Sequence, residues 1–507
     1  MSADKAQRRP GRRGLAADRF DVIVVGARCA GASLATLLAR QGAKVAVVEQ
    51  AQFPRDTLSS HVIQTDALAF LRRLGVMEQV QATGARFMSH VDARLGDARV
   101  LVPYPQLPGD VGGAACIRRF IFDPILADAA AAAGAHVHMA TKVVGLVEED
   151  GRVAGVRVVD KGSERVLRAK LVVGADGRSS TIARLCGARS YNVRRNERTY
   201  YWSFFEGAEL SGEPTFVLHR WGDRFVFGGP ADSGLYIVGI SPEAGERDDF
   251  RRTLERSFMD HANSCEPVAA TIAGATRATK IFGIRSFSTY FREGAGRGWV
   301  LAGDAGHFKD PAVGRGIGDA FLQADALAPI ILDKLDAQPA VLDRALRRWV
   351  RWRDREFAGH YWLGADIGKA GAVPTPVPEV IRRLHANGRT ERFIELFSHR
   401  RDYSNVFSPP AVIDATARLL VRGGCDRPAL LREVGGLLAE DTRRRWVNVR
   451  PVFAPPAPRD IATAVAAGTA EHGARVSRLP LGRDASGRWT TSRRQYDAVR
   501  EEDRHGA

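Results

Sequence analysis

The chain has 507 residues, of which 45% are hydrophobic and 26% charged, so it has a globular composition and enough length for more than one domain. Its net charge of +16 suits nucleic-acid binding, but the arginines are spread along the chain and no nucleic-acid motif occurs, which argues against that function. The longest stretch without a charged residue, 129–141, is too short to span a bilayer.

The cysteines and the N-terminal residues indicate in which cellular compartment the protein is expected. Five cysteines are scattered without a C-x-x-C pair, and no metal-ligand spacing occurs. This pattern argues against a metal site and a disulfide scaffold, and it favours the reducing cytoplasm. Residues 1–19 contain arginines but no apolar segment. They predict a disordered basic tail rather than a signal peptide.

A β-α-β unit follows this tail. Residues 22–25 form the continuous apolar run of a strand buried on both faces of a parallel sheet, and Gly26 and Gly31 come next at two glycine positions of the G-x-G-x-x-G fingerprint. Arg28 stands at the middle glycine position of the fingerprint, where its side chain either points away or contacts a phosphate. A second predicted strand ends in Glu49, which is placed to accept hydrogen bonds from a ribose and disfavours a 2′-phosphate. This arrangement points to a dinucleotide at the helix N-terminus.

A second glycine-flanked acid occurs much later. The segment 170–173, which is apolar after Lys170, predicts another buried strand, and Asp176 and Gly177 follow it closely. An aspartate in this position either hydrogen-bonds a ligand or caps the helix that comes after it.

A third stretch repeats this pattern. A predicted strand ends in Gly303 and Asp304, Pro311 opens a turn, and Gly314 and Gly316 leave the backbone bare before a predicted helix. The N-terminus of that helix could stabilise negative charge on a bound group.

In this order, the three stretches resemble the dinucleotide, Asp-Gly and Gly-Asp motifs of single-component flavoprotein monooxygenases, the aromatic-hydroxylase class of the glutathione-reductase-like FAD fold. The likeness covers roughly residues 20–353. It is closer to a subgroup with Gly-Ala-Arg-x-Ala-Gly, Asp-Thr-Leu-Ser-x-His and Lys-Asp-Pro, found here at 26–31, 56–61 and 309–311. Members of this subgroup are described mostly as FAD-dependent oxidoreductases, so the likeness predicts the cofactor better than the substrate.

The resemblance implies that FAD is held by residues matching the family's motifs. In that family, the residue equivalent to Asp304 holds the ribityl chain, the one equivalent to Pro311 lies beside the isoalloxazine, and the backbone near Val143 contacts adenine. The Asp-Gly motif is also linked to nicotinamide binding. The complete implied set is Gly26, Arg28, Gly31, Glu49, Arg119, Val143, Asp176, Gly177, Gly303, Asp304, Pro311, Gly314 and Gly316.

The predicted fold class is α/β, α+β overall: a Rossmann-like FAD-binding domain with a parallel sheet, an inserted antiparallel substrate sheet and a helical C-terminal region. The sheet prediction rests on aromatic, strand-like runs between glycine turns. The predicted segments are a tail (1–19), an FAD-binding domain (20–187 and 275–335), a substrate domain (188–274, joined by 86–104), a helical region (336–450), and a linker with a poorly ordered tail (451–507).

Few side chains need be catalytic, because the flavin carries the difficult chemistry. A base that deprotonates a phenol would help. The candidates are His61 and Arg55 in the segment after Glu49, and Tyr201 in the aromatic sheet. His307 and His219 are further candidates. Core packing is the competing interpretation for Tyr201, and a place on the strand surface is the competing one for His219.

The function predicted from this resemblance is an FAD-dependent monooxygenase that uses NAD(P)H and O₂ to hydroxylate a small aromatic or polyketide-like molecule through a flavin C4a-hydroperoxide. The sequence contains one dinucleotide fold. NAD(P)H therefore either binds transiently near the flavin or reduces flavin on a separate reductase.

Three alternatives stay open. The first is an FAD-dependent reductase or dehydrogenase of the geranylgeranyl-reductase type. The second is a two-component halogenase or monooxygenase; the Trp-x-Trp-x-Ile-Pro stretch of halogenases is absent, and no lysine occurs between Lys44 and Lys142, which counts against a halogenase. The third is a flavin-binding scaffold without turnover.

Overall fold

The computed structural model describes residues 18–449, so most of the predicted tail and the predicted linker of 451–507 lie outside the described residues. The described strands are β1 (Asp18–Val25), β2 (Val45–Val48), β3 (Val62–Ile63), β4 (His90–Leu95), β5 (Ala98–Pro103), β6 (Ala115–Cys116), β7 (His136–His138), β8 (Thr141–Glu149), β9 (Arg152–Asp160), β10 (Ser163–Gly174), β11 (Ser190–Arg195), β12 (Tyr200–Glu206), β13 (Thr215–Trp221), β14 (Arg224–Pro230), β15 (Tyr236–Ser241), β16 (Thr276–Arg277), β17 (Phe282–Ile284), β18 (Ser288–Arg292), β19 (Ala295–Gly296), β20 (Trp299–Leu301) and β21 (His307–Phe308). The described α-helices are α1 (Cys29–Arg40), α2 (Thr65–Arg73), α3 (Met77–Gln81), α4 (Arg119–Ala132), α5 (Thr181–Leu185), α6 (Arg247–Arg252), α7 (Leu254–Asn263), α8 (Glu266–Ile272), α9 (Gly316–Lys334), α10 (Pro339–Ile367), α11 (Pro376–Ala386), α12 (Glu391–Ile394), α13 (Pro409–Arg422) and α14 (Arg427–Val449).

A mostly parallel sheet forms the first layer of the fold. Its order is β19-β20-β10-β1-β2-β7, and the β8–β9 hairpin extends it antiparallel to β10. Val22 and Val24 of the central strand pack under α1, α4 and α9, whereas Ile23 and Val25 pack against the hairpin. Burial on both faces is the physical reason for the continuous apolar run in β1.

The parallel strands bring the three sequence motifs together. Strands β2, β10 and β1 run in the same direction, as do β10 and β20, so all of them end at one edge of the sheet. The segments that follow these strands carry the glycines and acids singled out above. A crevice at the carboxyl edge of such a sheet is where α/β folds bind ligands.

An antiparallel sheet forms the second layer, in the order β16-β12-β15-β14-β13-β4-β5, with β17 also paired to β12. The hairpin β4–β5 joins it through parallel pairing of β4 with β13. Strands β16 and β17 also belong to this sheet, because both pair with β12. The predicted α/β fold with a Rossmann-like domain is confirmed, and the predicted domain bounds stay a prediction.

The strand β12 shows which side chains of the second sheet face the first. Tyr200, Trp202 and Phe204 pack in a cluster with residues around Pro311, whereas Tyr201 and Phe205 pack on the opposite face against α6 and α7. This alternation follows from the two-residue period of a strand. Helices α9 to α14 complete the described chain, and none of the described helices is long and apolar enough to cross a membrane.

Candidate active site

A cleft of about 860 Å³ lies at the carboxyl edge of the parallel sheet. Residues from all three motif segments line it. Its volume and its position at the sheet edge are typical of a cofactor site. Of the predicted cofactor residues, all except Gly31 line this cleft: Gly26, Arg28, Glu49, Arg119, Val143, Asp176, Gly177, Gly303, Asp304, Pro311, Gly314 and Gly316.

The glycines of the first motif allow α1 to approach β1 closely. A Cβ on Gly26 would lie 2.4 Å from the carbonyl oxygen of Ala175, and a Cβ on Gly31 would lie 1.8 Å from that of Gly26. Gly26 also has φ of +105°. Gly31 therefore acts through packing, because it holds the N-terminus of α1 at the edge of the cleft without lining it.

Glu49 is buried at the end of β2 and is already held by the backbone. Its carboxylate accepts hydrogen bonds from the N–H groups of Ala27 and Ala51, both at 2.9 Å. A carboxylate has about four lone-pair positions, so this geometry leaves acceptor capacity for a ribose hydroxyl in the cleft.

Arg28 points toward α4 rather than along α1. Its guanidinium pairs with the buried carboxylate of Asp123 and lies 5.1 Å from the ring centroid of Phe53. The other oxygen of Asp123 accepts a 2.6 Å hydrogen bond from Nε of Arg119. One buried acid thus fixes two arginines on the wall of the cleft, where they supply positive charge for a phosphate. Asp123 was not among the predicted residues, although its i,i+4 spacing from Arg119 on a helix was a usable signal.

The Asp-Gly motif caps a helix and also lines the cleft. Asp176 accepts hydrogen bonds from the hydroxyl of Ser180 at 2.5 Å and from the N–H of Thr181 at 2.6 Å, at the start of α5. Gly177 has φ of +75°, and a Cβ there would meet no atom within 4 Å. Of the two interpretations left open, the structure thus shows the cap, beside backbone that is bare toward the cleft.

The Gly-Asp motif forms the far end of the cleft. Gly303 has φ of +60°, and its N–H donates to the side-chain oxygen of Gln323 at 2.9 Å. Burial raises the pKa of Asp304 to about 6. Gly314, also at φ +60°, ends the turn after Pro311, and the space around Gly316 at the start of α9 is open within 4 Å. The bare glycines and two helix N-termini are the features that a flavin dinucleotide requires, so these residues fit FAD.

A buried ionic group supports the turn after β21. Lys309 pairs with Asp319 of α9, and Arg315 lies 3.4 Å from the other oxygen of Asp319 and bonds Asp66 at 2.9 Å. Burial lowers the pKa of Lys309. Lys309, Arg315 and Asp319 line the cleft and were not among the predicted residues; the Lys-Asp-Pro sequence was the available signal.

His61 has a different environment from the one that a catalytic base needs. It is buried with φ of +59°, lines neither cavity, and its Nδ1 accepts a 3.1 Å hydrogen bond from the N–H of Arg119. Burial lowers its pKa to about 3, so the ring is neutral and its acceptor nitrogen is occupied. The contact makes His61 a support for the start of α4, and its role as a base stays a prediction.

The other residues predicted as catalytic candidates lie in different parts of the structure. Arg55 is exposed and lines the cleft. The ring of Tyr201 lies 4.8 Å, centroid to centroid, from that of Phe250 on the far face of the second sheet, and its catalytic role stays a prediction. His307 lines the cleft and is stacked on Phe291 at 4.3 Å, and burial lowers its pKa well below the usual value. His219, expected on the surface, is buried and hydrogen-bonded to Asp92 at 2.9 Å, because β4 covers that strand.

A second, apolar cavity of about 100 Å³ lies between the second sheet and the segments at the carboxyl edge of the parallel sheet. That volume is several times the roughly 10–15 Å³ that one water needs. Aromatic side chains of the second sheet form its wall, including Tyr200, Trp202, Phe216, Phe225 and Phe227. Tyr200 donates a 2.7 Å hydrogen bond from its hydroxyl to Asp310, and burial raises the pKa of Asp310 to about 6.

The apolar cavity and the cofactor cleft share part of their walls. The residues that line both include Leu58, Ser60, Arg178, Asp304, Pro311 and Gly314. The shared wall lies at the end of the cleft formed by the Gly-Asp motif. A molecule in the apolar cavity would therefore be adjacent to the end of a cofactor bound there.

The similarity of this chain to known proteins supports a cofactor site in this cleft. The FAD binding domain family matches residues 19–349, which is more than half of the chain. The chain belongs to the FAD binding domain family. Its members hold FAD, so FAD is the cofactor, and the protein is an FAD-dependent oxidoreductase, as predicted.

The relatives of this chain are named for different reactions. The chain is 27% identical to the digeranylgeranylglycerophospholipid reductase of Methanosarcina acetivorans, over 68% of this chain and 82% of that protein. It is 29% identical to the 6-methylpretetramide 4-monooxygenase of Streptomyces rimosus, over 62% and 76%. The structure of the flavin-dependent brominase Bmp2 superposes with a TM-score of 0.61 at 17% identity, covering 80% of this chain and all of that one, which shows a shared fold.

Proposed function

We propose that this FAD-dependent oxidoreductase is a monooxygenase that uses O₂ and electrons from NAD(P)H to hydroxylate a small aromatic or polyketide-like molecule. One observation carries the proposal: a cavity walled by aromatic side chains shares Asp304, Pro311 and Gly314 with the cofactor cleft. Hydroxylation requires the reacting carbon to lie beside the flavin and away from bulk water.

We assign the FAD contacts to the cleft residues. The pyrophosphate would lie at the N-terminus of α1 between Arg28 and Arg119, with the ribose at Glu49. Val143 and Asp176 line the adenosine side of the cleft in this placement, and Gly303 to Gly316 line the flavin side. Arg55 lies at the exposed margin, where its charge would attract an anionic cofactor.

Bound FAD would supply the electron transfer and oxygen activation, and the protein would orient the substrate and exclude water. The apolar wall from β12 to β14 performs both tasks, because it offers flat surfaces for ring stacking and little polar surface for water. The ring centroids of Trp202 and Phe282 lie 5.9 Å apart in a stacked arrangement and Phe225 lies edge-on to Tyr200, so contacts within the protein support the rings of the wall.

Tyr200 and Asp310 take the role first expected of His61 or Tyr201. A phenolic substrate would donate its proton to Oη of Tyr200 while Tyr200 passes its own proton to Oδ1 of Asp310, 2.7 Å away. Burial raises the pKa of Asp310 to about 6, which brings this carboxylate closer to the basicity that proton transfer near neutral pH requires. The deprotonated ring oxygen makes its ring carbons more electron-rich and easier to hydroxylate.

Two alternative electron donors fit this proposal. Either NADH or NADPH reaches the flavin through the open side of the cleft, or a separate flavin reductase supplies the electrons. Anaerobic mixing of the FAD-loaded enzyme with each nucleotide distinguishes them, since direct donation bleaches the flavin absorbance. No bleaching with either nucleotide, followed by bleaching when a flavin reductase is added, would assign the second form.

A reductase that saturates prenyl double bonds is the second candidate. The likeness to the archaeal digeranylgeranylglycerophospholipid reductase favours it, and the apolar cavity would accept an alkene. This candidate predicts flavin oxidation by the alkene without O₂. The monooxygenase predicts O₂ uptake that an aromatic substrate accelerates, measured with an oxygen electrode in the presence of NADH or NADPH. Faster alkene-dependent oxidation of the reduced flavin under anaerobic conditions would favour the reductase instead.

A further inference from the structure

One row of paired residues across the second sheet faces the apolar cavity. Leu218 of β13 pairs with Phe227 of β14, and Phe227 pairs in turn with Gly239 of β15. Gly239 is also paired with Trp202 of β12. Residues paired in this way share one face of a sheet, and Leu218, Phe227 and Trp202 all line the cavity. Gly239 is therefore the one position of this row that has no side chain.

The ring of Phe227 occupies the space that a side chain at Gly239 would need. A Cβ on Gly239 would lie 2.0 Å from Cε1 and 2.1 Å from Cζ of Phe227. The outer edge of the ring thus covers the backbone of Gly239, which does not itself line the cavity. Pairing of an aromatic ring with a cross-strand glycine is a packing arrangement that sheets use.

The neighbours of Phe227 limit where its ring can go. The ring centroids of Phe216 and Phe225 lie 6.3 and 6.2 Å away, and both residues are buried. The sheet lies beneath the ring, and the cavity lies above it. Because protein interiors are closely packed, a ring displaced from Gly239 would move into the cavity. The open space in the cavity therefore depends on the missing side chain at 239.

The size of the cavity makes this dependence decisive. Its volume is about 100 Å³, whereas an apolar cavity of roughly 150 Å³ holds a benzene molecule. The cavity is thus close to the least space that one ring requires, and the remainder of a ligand would extend toward the cofactor cleft along their shared wall. Movement of one phenyl ring into this space would exclude the ligand.

We infer that Gly239 is a specificity-determining residue, which keeps the apolar cavity open to a ring-sized part of the substrate. It acts through Phe227, whose ring would contact the ligand. This inference rests on the proposed function only in taking the apolar cavity as the place of the substrate. It does not depend on which reaction follows.

The test is isothermal titration calorimetry of the oxidised, FAD-loaded enzyme. The probes are 1-naphthol and geraniol, an aromatic and a prenyl alcohol with equal numbers of carbon atoms. Gly239→Ala should weaken the binding of whichever probe the wild type binds more tightly by about tenfold or more, because the displaced ring takes the place of the ligand.

Gly228→Ala is the matched control, because it crowds the opposite face of the same sheet. A Cβ on Gly228 would lie 2.7 Å from the hydroxyl oxygen of Tyr236, which packs with α6 and α7 and away from the cavity. This variant has a similar strain in a neighbouring strand. It should bind both probes within about twofold of the wild type.

Substitution of Phe227 separates a role in specificity from a general loss of stability. Leucine lacks Cε1 and Cζ, the two atoms nearest to the added methyl group. The double variant Gly239→Ala with Phe227→Leu should therefore recover probe affinity to within about threefold of the wild type. Phe227→Leu alone enlarges the cavity, so its affinity for 9-phenanthrol relative to 1-naphthol should rise about threefold or more.

Five results would overturn the inference: equal losses in Gly239→Ala and Gly228→Ala, wild-type binding by Gly239→Ala, no recovery in the double variant, an unchanged preference in Phe227→Leu, or no binding of either alcohol by the wild type. The Phe227→Leu result decides the matter if Gly239→Ala does not retain FAD. Tighter binding of geraniol than of naphthol, lost in Gly239→Ala, would support the inference and count only against aromatic hydroxylation.

Discussion

Among single residues, Tyr200 and Asp310 form the contact on which the proposed chemistry depends. The two side chains come from different sheet and turn segments, 110 positions apart, and meet at 2.7 Å beside the apolar cavity. Tyr201, the neighbouring residue, has the same side chain but faces the other way. The pair of tyrosines therefore offers a comparison in which chemistry is constant and only position differs.

Tyr200→Phe is expected to lower the hydroxylation rate about a hundredfold, because the phenol proton loses its acceptor. FAD content should be unchanged, since Tyr200 lines the apolar cavity and not the cofactor cleft. Steady-state kinetics with a hydroxylated aromatic substrate check this. Tyr201→Phe is the control and should keep its rate within about twofold; equal losses in both variants would refute the assignment.

The pH profile reports on Asp310. Burial raises the pKa of this carboxyl to about 6, and only the ionised form can accept the proton of Tyr200. The rate should therefore fall about tenfold per pH unit below about pH 6 and be level above it. Asp310→Asn keeps the oxygen that accepts from Ala312 at 3.0 Å but cannot take a proton, so its rate should be low and lack this limb. An unchanged limb in Asp310→Asn would exclude Asp310 as its origin.

At the scale of elements, the position of α1 controls the cofactor cleft. The helix packs against β1 through Gly31, whose missing side chain leaves room for the carbonyl of Gly26. Parallel strands β1, β2, β10 and β20 then place the other motif segments around its N-terminus. The cleft is a consequence of strand direction and one close contact.

Gly31→Ala should displace α1 and lower FAD occupancy, since the added Cβ would stand 1.8 Å from the carbonyl oxygen of Gly26. Gly42→Ala, after the same helix, meets no atom within 4 Å, and its cost should be limited to roughly 1–2 kcal/mol for the left-handed backbone. The ratio of flavin to protein absorbance and the thermal midpoint measure both effects. If both variants retain FAD equally, the close contact is not what positions the helix.

The elements that the sequence could predict are those with local signals. Apolar runs at 22–25 and 171–173 predict central strands, and glycines and acids at their ends predict a cleft, because parallel strands end at one edge. The choice between Tyr200 and Tyr201 could not be made, since a shift of one residue reverses the face of a strand. The contact of His61 with Arg119 was equally invisible, because it joins residues 58 positions apart.

At the scale of the whole molecule, a buried ion pair joins the two layers. Arg118, just before α4, donates to Asp232, in the turn between β14 and β15 of the second sheet, through Nε at 2.9 Å, Nη2 at 2.6 Å and its backbone N–H at 2.7 Å. Asp232 is fully buried. This contact holds the aromatic cavity against the cofactor cleft, and neither residue could be paired from sequence because 114 positions separate them.

Asp232→Ala should lower the free energy of unfolding by about 3 kcal/mol, because it leaves a buried arginine without its acid. Urea denaturation followed by tryptophan fluorescence measures the change. Asp248→Ala, an exposed acid in α6, is the control and should stay within about 0.5 kcal/mol of the wild type. Equal unfolding midpoints for the two variants would mean that the ion pair does not hold the layers together.

The measurement that tests the monooxygenase most directly is mass spectrometry of two candidate substrates in one vessel. FAD-loaded enzyme, NADH, NADPH and isotopically labelled O₂ are incubated with 1-hydroxy-2-naphthoate and geranylgeraniol, with a flavin reductase added in a parallel vessel. A monooxygenase is expected to place one labelled oxygen atom in the aromatic acid and to leave the prenyl alcohol unchanged. Two added hydrogens in the prenyl alcohol, with no label in the aromatic acid, would contradict it.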